Sequence, residues 1–171
     1  MASILTAYGG SEQTFTVTNL HSLASSTTAG WCSAAIDNTS DKFLDAMINI
    51  VLDPANTSPG SDKAFCFFGW GTNNSSYYPS TGASSGGTTG TQGALTFPNI
   101  TTTPILIKPV QTLLYGVADT VINGNAFSMC EMMGWRALPR YWGLACLNYS
   151  GATLHSANNR IGWYGLYNTV A

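Results

Sequence analysis

The chain has 171 residues, room for one domain with a proper core, and six Lys+Arg against eight Asp+Glu leave a net charge of −2. Charged residues make up only 8% of it, where an ordinary soluble domain carries about 25%, while Ser, Thr, Asn and Gly together supply 69 residues. That balance gives no basic field for nucleic acid or anionic lipid, no apolar run of the roughly 20 residues that span a membrane, and few residues that sustain long helices.

The opening MASILTAYGG has no basic n-region and no apolar stretch long enough for a signal peptide. The expectation is synthesis and folding in the cytoplasm. Thr14–Leu20 then alternates Phe15 and Val17 against Thr14, Thr16 and Thr18, the period of a half-buried antiparallel strand. A second strand is expected at Ala34–Asp37. Residues 43–52 carry two patterns at once. Phe43, Leu44, Met47, Ile48, Val51 and Leu52 fit an amphipathic helix, whereas Leu44, Ala46, Ile48, Ile50 and Leu52 fit a strand. A helix would leave Ile50 on its polar side, and the neighbouring segments read as β, so a strand is expected. Asp53-Pro54-Ala55-Asn56-Thr57 serves as the corner that follows.

Ala64–Trp70 reads as the next strand. Residues 72–93 (TNNSSYYPSTGASSGGTTGTQG) form an uncharged, polar, low-complexity loop whose only large side chains are Tyr77 and Tyr78. A loop of that length is usually disordered or functional. Further strands are expected at Ile105–Val110, Phe127–Met133, Tyr141–Asn148 and Arg160–Val170, each bounded by Gly, Pro, Asn or Asp. Two segments echo one another, W31-C-S-A-A-I-D-N38 and W142-G-L-A-C-L-N148. Each is a Trp-led strand ending at Asn, which reads as shared strand and turn chemistry rather than a duplication. Eight to ten short strands with long loops predict an all-β fold. The expected form is a single-domain antiparallel β-sandwich of jelly-roll type spanning residues 1–171.

Reactive chemistry is sparse. Cys32, Cys66, Cys130 and Cys146 form no C-x-x-C pair, and only His21 and His155 are available to complete a metal site. The cysteines read as buried free thiols. There is no G-x-S-x-G, H-E-x-x-H or P-loop motif, and the glycines of residues 82–90 lack the P-loop lysine. Asp41 and Asp45 would share a face only on a helix. The expectation is a protein that is not an enzyme and carries neither metal nor cofactor.

Aromatic residues are more informative. Glycine precedes Trp31, Trp70, Trp135 and Trp163 and follows Trp142, a pairing that lets backbone and indole pack closely. Trp31 and Trp142 read as core. Trp70 and Trp135 stand at strand-to-loop transitions, where an indole is often half exposed. With little charge to hold copies apart, the chain suits a packed assembly whose interfaces rely on shape and apolar contact. Trp70, Tyr77, Tyr78, Trp135 and Arg140 are the expected contact residues.

The run N38-T-S-D-K-F-L-D-A-M-I-N-I-V-L-D-P-A-N-T57 and the later L138-P-R-Y-W-G-L-A-C-L-N-Y-S-G-A-T-L154 resemble small virion structural proteins of tailed bacteriophages. In such proteins Leu138-Pro139 would begin the penultimate strand and Asn148-Tyr149-Ser150-Gly151 the hairpin after it. The resemblance implies synthesis in the host cytoplasm, a place in the virion, and partners that are the major capsid protein, other virion proteins or copies of itself. It carries over no catalytic residues. The expected function is capsid decoration or cementing of the assembled shell. The rivals are a glycan- or receptor-binding fibre or spike module and a low-copy connector or tail component.

Overall fold

The computed structural model describes residues 4–27, 29–55, 64–73, 93–96, 106–114 and 121–170. Two antiparallel sheets face each other across a shared apolar core. In the first, β1 (Ile4–Thr14) pairs with β11 (Arg160–Val170), and β11 pairs with β4 (Asp45–Leu52). The short strands β8 (Ile122–Asn123) and β9 (Phe127–Ser128) both lie along the far side of β4. The second sheet runs β6 (Gly93–Thr96), β2 (Ala29–Cys32), β10 (Tyr141–Asn148), β5 (Ala64–Thr72) and β7 (Leu106–Leu114), with β3 (Ile36–Asp37) also on β10.

Two of these strands are interrupted rather than separate. β2 and β3 meet the same side of β10, at Leu147–Ala145 and at Trp142–Tyr141. Across the gap the Ser33 hydroxyl accepts from the Leu144 N–H at 3.0 Å, doing the work of a ladder carbonyl. β8 and β9 divide the side of β4 in the same way, and the Gly124 N–H between them still donates to the Ile50 carbonyl at 2.8 Å. Strand β7 carries Pro109, tolerated because β7 lies at the end of its sheet. The register slips by one beside it, placing the extra residue Val110 in the core.

The alternation in β4 is resolved as a strand. Ala46, Ile48, Ile50 and Leu52 are buried and the residues between them are half-buried, so the period of two prevails over the helical one. β5, β10 and β11 also lie where the sequence places strands. Two expectations are corrected. The strand read at Thr14–Leu20 lies earlier, at β1. Phe15 and Val17 do pack on the core, but a turn at 18–22 follows, with the Leu20 and His21 N–H groups both donating to the Val17 carbonyl. The strand read at Phe127–Met133 stops at Ser128 and becomes the helix α1 (Met129–Met133). The Ser128 hydroxyl accepts from the Glu131 N–H at 2.9 Å, and Gly134 ends the helix in the left-handed region at φ 72°.

The core is centred on the two strands that are last in the chain. Trp142 of β10 and Trp163 of β11 meet edge to face across the sheets, with ring centroids 5.2 Å apart. Phe15 packs edge-on against Trp142 and Phe43 against Trp163. Such pairs contribute about 0.5–1.5 kcal/mol each beyond the area they bury. Phe43 lies over Gly9 and Gly165, where any Cβ would fall within 2.4 Å of its ring.

Candidate interaction surface

The ladders fix two ends of the sandwich. At one end β10 begins at Tyr141 opposite Thr72 and Asp37. The Leu138 N–H bonds the Leu44 carbonyl there at 2.9 Å, joining the loop before β4 to the loop after α1. At the other end β10 finishes at Asn148 opposite Phe65, and Pro54 bridges Leu154.

The contact residues read from the sequence separate in the fold. Trp70 is not a contact residue: its exposure is 0%. It points to the outer side of the second sheet, but its indole lies flat across β10, filling the space that a side chain at residue 143 would take. A Cβ on Gly143 would sit 2.6 Å from that ring, and the indole N–H reaches the Leu144 carbonyl at 3.3 Å. Cys32, Ala145, Ala35, Phe68 and Tyr141 complete a small apolar cluster around it. Tyr77 and Tyr78 lie outside the described residues, as does most of the 72–93 loop.

Trp135 and Arg140 are brought together at the Tyr141 end. Trp135 is half-buried and packs over Gly71, where a Cβ would meet the indole at 2.6 Å and the Pro139 ring at 2.4 Å. A cleft of about 640 Å³ opens beside it, walled by Asn73, Gly134, Trp135, Arg136 and Pro139. A second cleft, of about 400 Å³, is bordered by Asn38, Lys42, Leu138 and Arg140. Arg140 is exposed, and its backbone N–H donates to the Asn73 carbonyl oxygen Oδ1 at 3.1 Å. Asp37 faces it. Hydrogen bonds from Thr39 hold the Asp37 carboxyl below the usual range, and the Arg140 charge adds to that effect.

Asn38 builds one rim of the second cleft. Its buried amide accepts from the Phe43 N–H at 2.8 Å and donates to the Phe43 carbonyl at 3.0 Å, cinching residues 38–43 into a tight loop. Lys42 at the loop's tip is exposed and held at φ 53°, a left-handed conformation uncommon outside Gly and Asn. Arg136 thus shares the first cleft with the half-buried tryptophan, while Lys42 and Arg140 border the second. Trp and Arg are the side chains that most often carry the energy of a protein interface.

Cys130 and the two histidines lie at opposite ends of the sandwich. Cys130 lies at the Tyr141 end, where its thiol donates to the Leu44 carbonyl at 3.2 Å. Burial, with the nearby Asp45 carboxylate, pushes that thiol up to about 12. The Asp45 carboxylate is engaged by the Ser128 hydroxyl and by the Cys130 and Ala46 N–H groups. Burial also pushes the Cys146 thiol far up and raises Cys66. His21 and His155 both lie at the opposite end, gathered by Asn159, whose amide reaches the His21 ring at 3.0 Å and the His155 carbonyl at 2.8 Å. Asp53 joins them, its N–H donating to Asn159 and its carboxylate accepting from Asn158. The sequence gives no metal spacing between the histidines, and among the described residues no group of three or more His, Cys, Asp or Glu is placed to hold a metal ion.

Sequence reasoning missed the Asn38 clamp, the Lys42 rim and the companion Arg136. Comparison with family models, with curated proteins and with solved structures finds no match to this chain.

Proposed function

We propose that the sandwich is a jelly roll and that the chain is a non-enzymatic structural protein of a bacteriophage virion, a decoration or cement protein that binds the assembled capsid. The observation that carries the reading is the connectivity. With β2–β3 and β8–β9 each counted as one strand and β6 as an addition, eight strands form two four-stranded sheets. One sheet has β1, β11, β4 and β8–β9; the other has β2–β3, β10, β5 and β7. The chain crosses between sheets at nearly every connection, the arrangement that jelly-roll coat proteins use.

The Tyr141 end supplies the contact. Trp135 seats in the partner, Arg136 and Arg140 hydrogen-bond around it, and the neutral Ser- and Thr-rich surface adds little desolvation cost. A protein that binds only the closed shell stabilises the closed shell, and repeated lattice sites multiply a weak single contact. The partners are the major capsid protein or other virion proteins, with copies of the chain itself as neighbours.

Quantitative mass spectrometry of purified particles, against the major coat protein, tests the proposal. Hundreds of copies per particle are expected. A few dozen would move the chain to a fibre, connector or tail, and absence from the particles would sink the virion reading. A Trp135→Ala, Arg140→Glu double variant should fold normally and no longer co-sediment with shells.

A further inference from the structure

The outward side of the first sheet carries a feature that shell binding does not use. A cleft of about 490 Å³ runs across β1, β11 and β4, walled by Tyr8, Tyr164, Met47, Asn49, Glu12 and Arg160. That volume lies within the range of small-ligand clefts, roughly 300–1,000 Å³. Tyr8 is 62% exposed and meets Tyr164 edge to face, 5.7 Å between centroids and 73° between planes, so the two rings form a corner open to solvent.

The polar wall is preset. Glu12 lies flat on β11 because residue 162 is glycine, and a Cβ there would collide with its carboxylate. Arg160 pairs with that carboxylate and holds it in place. The half-buried Asn49 amide stands across the ladder from Gly162 and takes no hydrogen bond from the described residues. Tyr8, Tyr164, Met47, Asn49 and Arg160 sit on paired residues, and Glu12, in the break of the β1–β11 register between Gly9 and Gln13, is held by Arg160, so little ordering is required when a ligand enters.

We infer that this cleft binds a neutral saccharide. A pyranose has an apolar C–H face suited to a tyrosine ring and a rim of hydroxyls that both donate and accept. Asn49 offers a donor and an acceptor, the carboxylate accepts, and the guanidinium donates, which matches that rim. The ion pair is internally neutralised, so an anionic sugar would bring a charge that nothing in the cleft compensates. An extended peptide would also need free backbone groups, and in β11 and β4 these are consumed by the ladder. The inference does not depend on the virion reading, because it concerns a different face of the molecule.

Saturation-transfer NMR on the full chain, with maltotriose, cellotriose, chitotriose and mannotriose at millimolar concentration, tests it. Transfer to the ring C–H protons of at least one sugar is expected. Tyr8→Ala and Asn49→Ala should each weaken that sugar at least tenfold, with near-ultraviolet circular dichroism unchanged. Tyr149→Ala, at an exposed tyrosine outside the cleft, should leave binding as it was. Silence from all four sugars, or transfer that survives both cleft variants, overturns the inference. Stronger binding of sialyllactose than of any neutral sugar overturns the assignment to neutral ligands.

Discussion

Asn38 and Asn148 end the two Trp-led segments that echo each other in the sequence, and the fold makes those segments neighbours. Trp31 stands opposite Cys146 and Ile36 opposite Trp142, antiparallel, so the two asparagines fall at opposite ends of the sandwich. Both amides are buried and both tie down the loop that follows. Asn148 does so within a closed network: it donates to the Leu23 and Ala152 carbonyls and accepts from the Ser150 N–H and hydroxyl. Its partners Ser150 and Ala152 are buried too, so the amide serves packing. Among the described residues the Asn38 amide bonds Phe43 alone, and what it holds in place is an exposed lysine on the border of a cleft. One device closes a surface at one end and displays a surface at the other. The difference lies in what the clamped loop carries.

The contrast can be broken by substitution. Asn148→Ala should be the most damaging change, at about 3 kcal/mol, because several buried polar groups lose partners together. Urea unfolding measures it, and a loss as small as that of an exposed site would deny the network its structural role. Asn38→Ala should cost about 2 kcal/mol, since two backbone groups of Phe43 lose their partner. It should also weaken shell binding, which Asn148→Ala should not do at temperatures where it stays folded.

Smaller effects sharpen the comparison. Ser128→Ala removes the cap of α1 beside the clefts and should cost about 1 kcal/mol, with faster amide exchange confined to residues 129–134. Arg140→Ala should change stability by less than about 0.5 kcal/mol yet reduce co-sedimentation with shells. The smallest effect belongs to Asp37. Its folded carboxyl titrates below the value of an unfolded chain, so its contribution is present at neutral pH and is lost as pH falls through the folded value. Asp37→Asn should therefore flatten the acid limb of the stability profile slightly and leave the alkaline limb unchanged.

Legibility followed locality. The alternation of Ala46, Ile48, Ile50 and Leu52 read β4 once the neighbouring β segments told against the competing helical period, and Asn148-Tyr149-Ser150-Gly151 located the turn after β10, where Gly151 adopts φ 76°. The helix α1 was also written locally, in Ser128-x-x-Glu131 and the closing Gly134, but five residues give no apolar period to notice. Trp70 and the cleft residues were different. Burial of that indole depends on a glycine that lies opposite it only after 72 intervening residues have folded back, and Tyr8, Asn49 and Tyr164 meet only through the β1–β11–β4 ladder. No spacing along the chain encodes such meetings.

The order of the strands also sets a schedule. β10 and β11 are the last two strands to be made, and each is the strand its sheet is built around. β1 and β4 do not touch until β11 lies between them, and β2 and β5 do not touch until β10 does. A nascent chain that has delivered β1 through β9 therefore has only the β5–β7, β2–β6, β4–β8 and β4–β9 pairs among the described residues, and neither sheet has its central ladder. At synthesis rates of about 5–20 residues per second, the earlier strands wait several seconds with their apolar faces uncovered. Each sheet is thus completed late, and removing β11 would leave β1 with no paired strand and β4 with only the short strands β8 and β9.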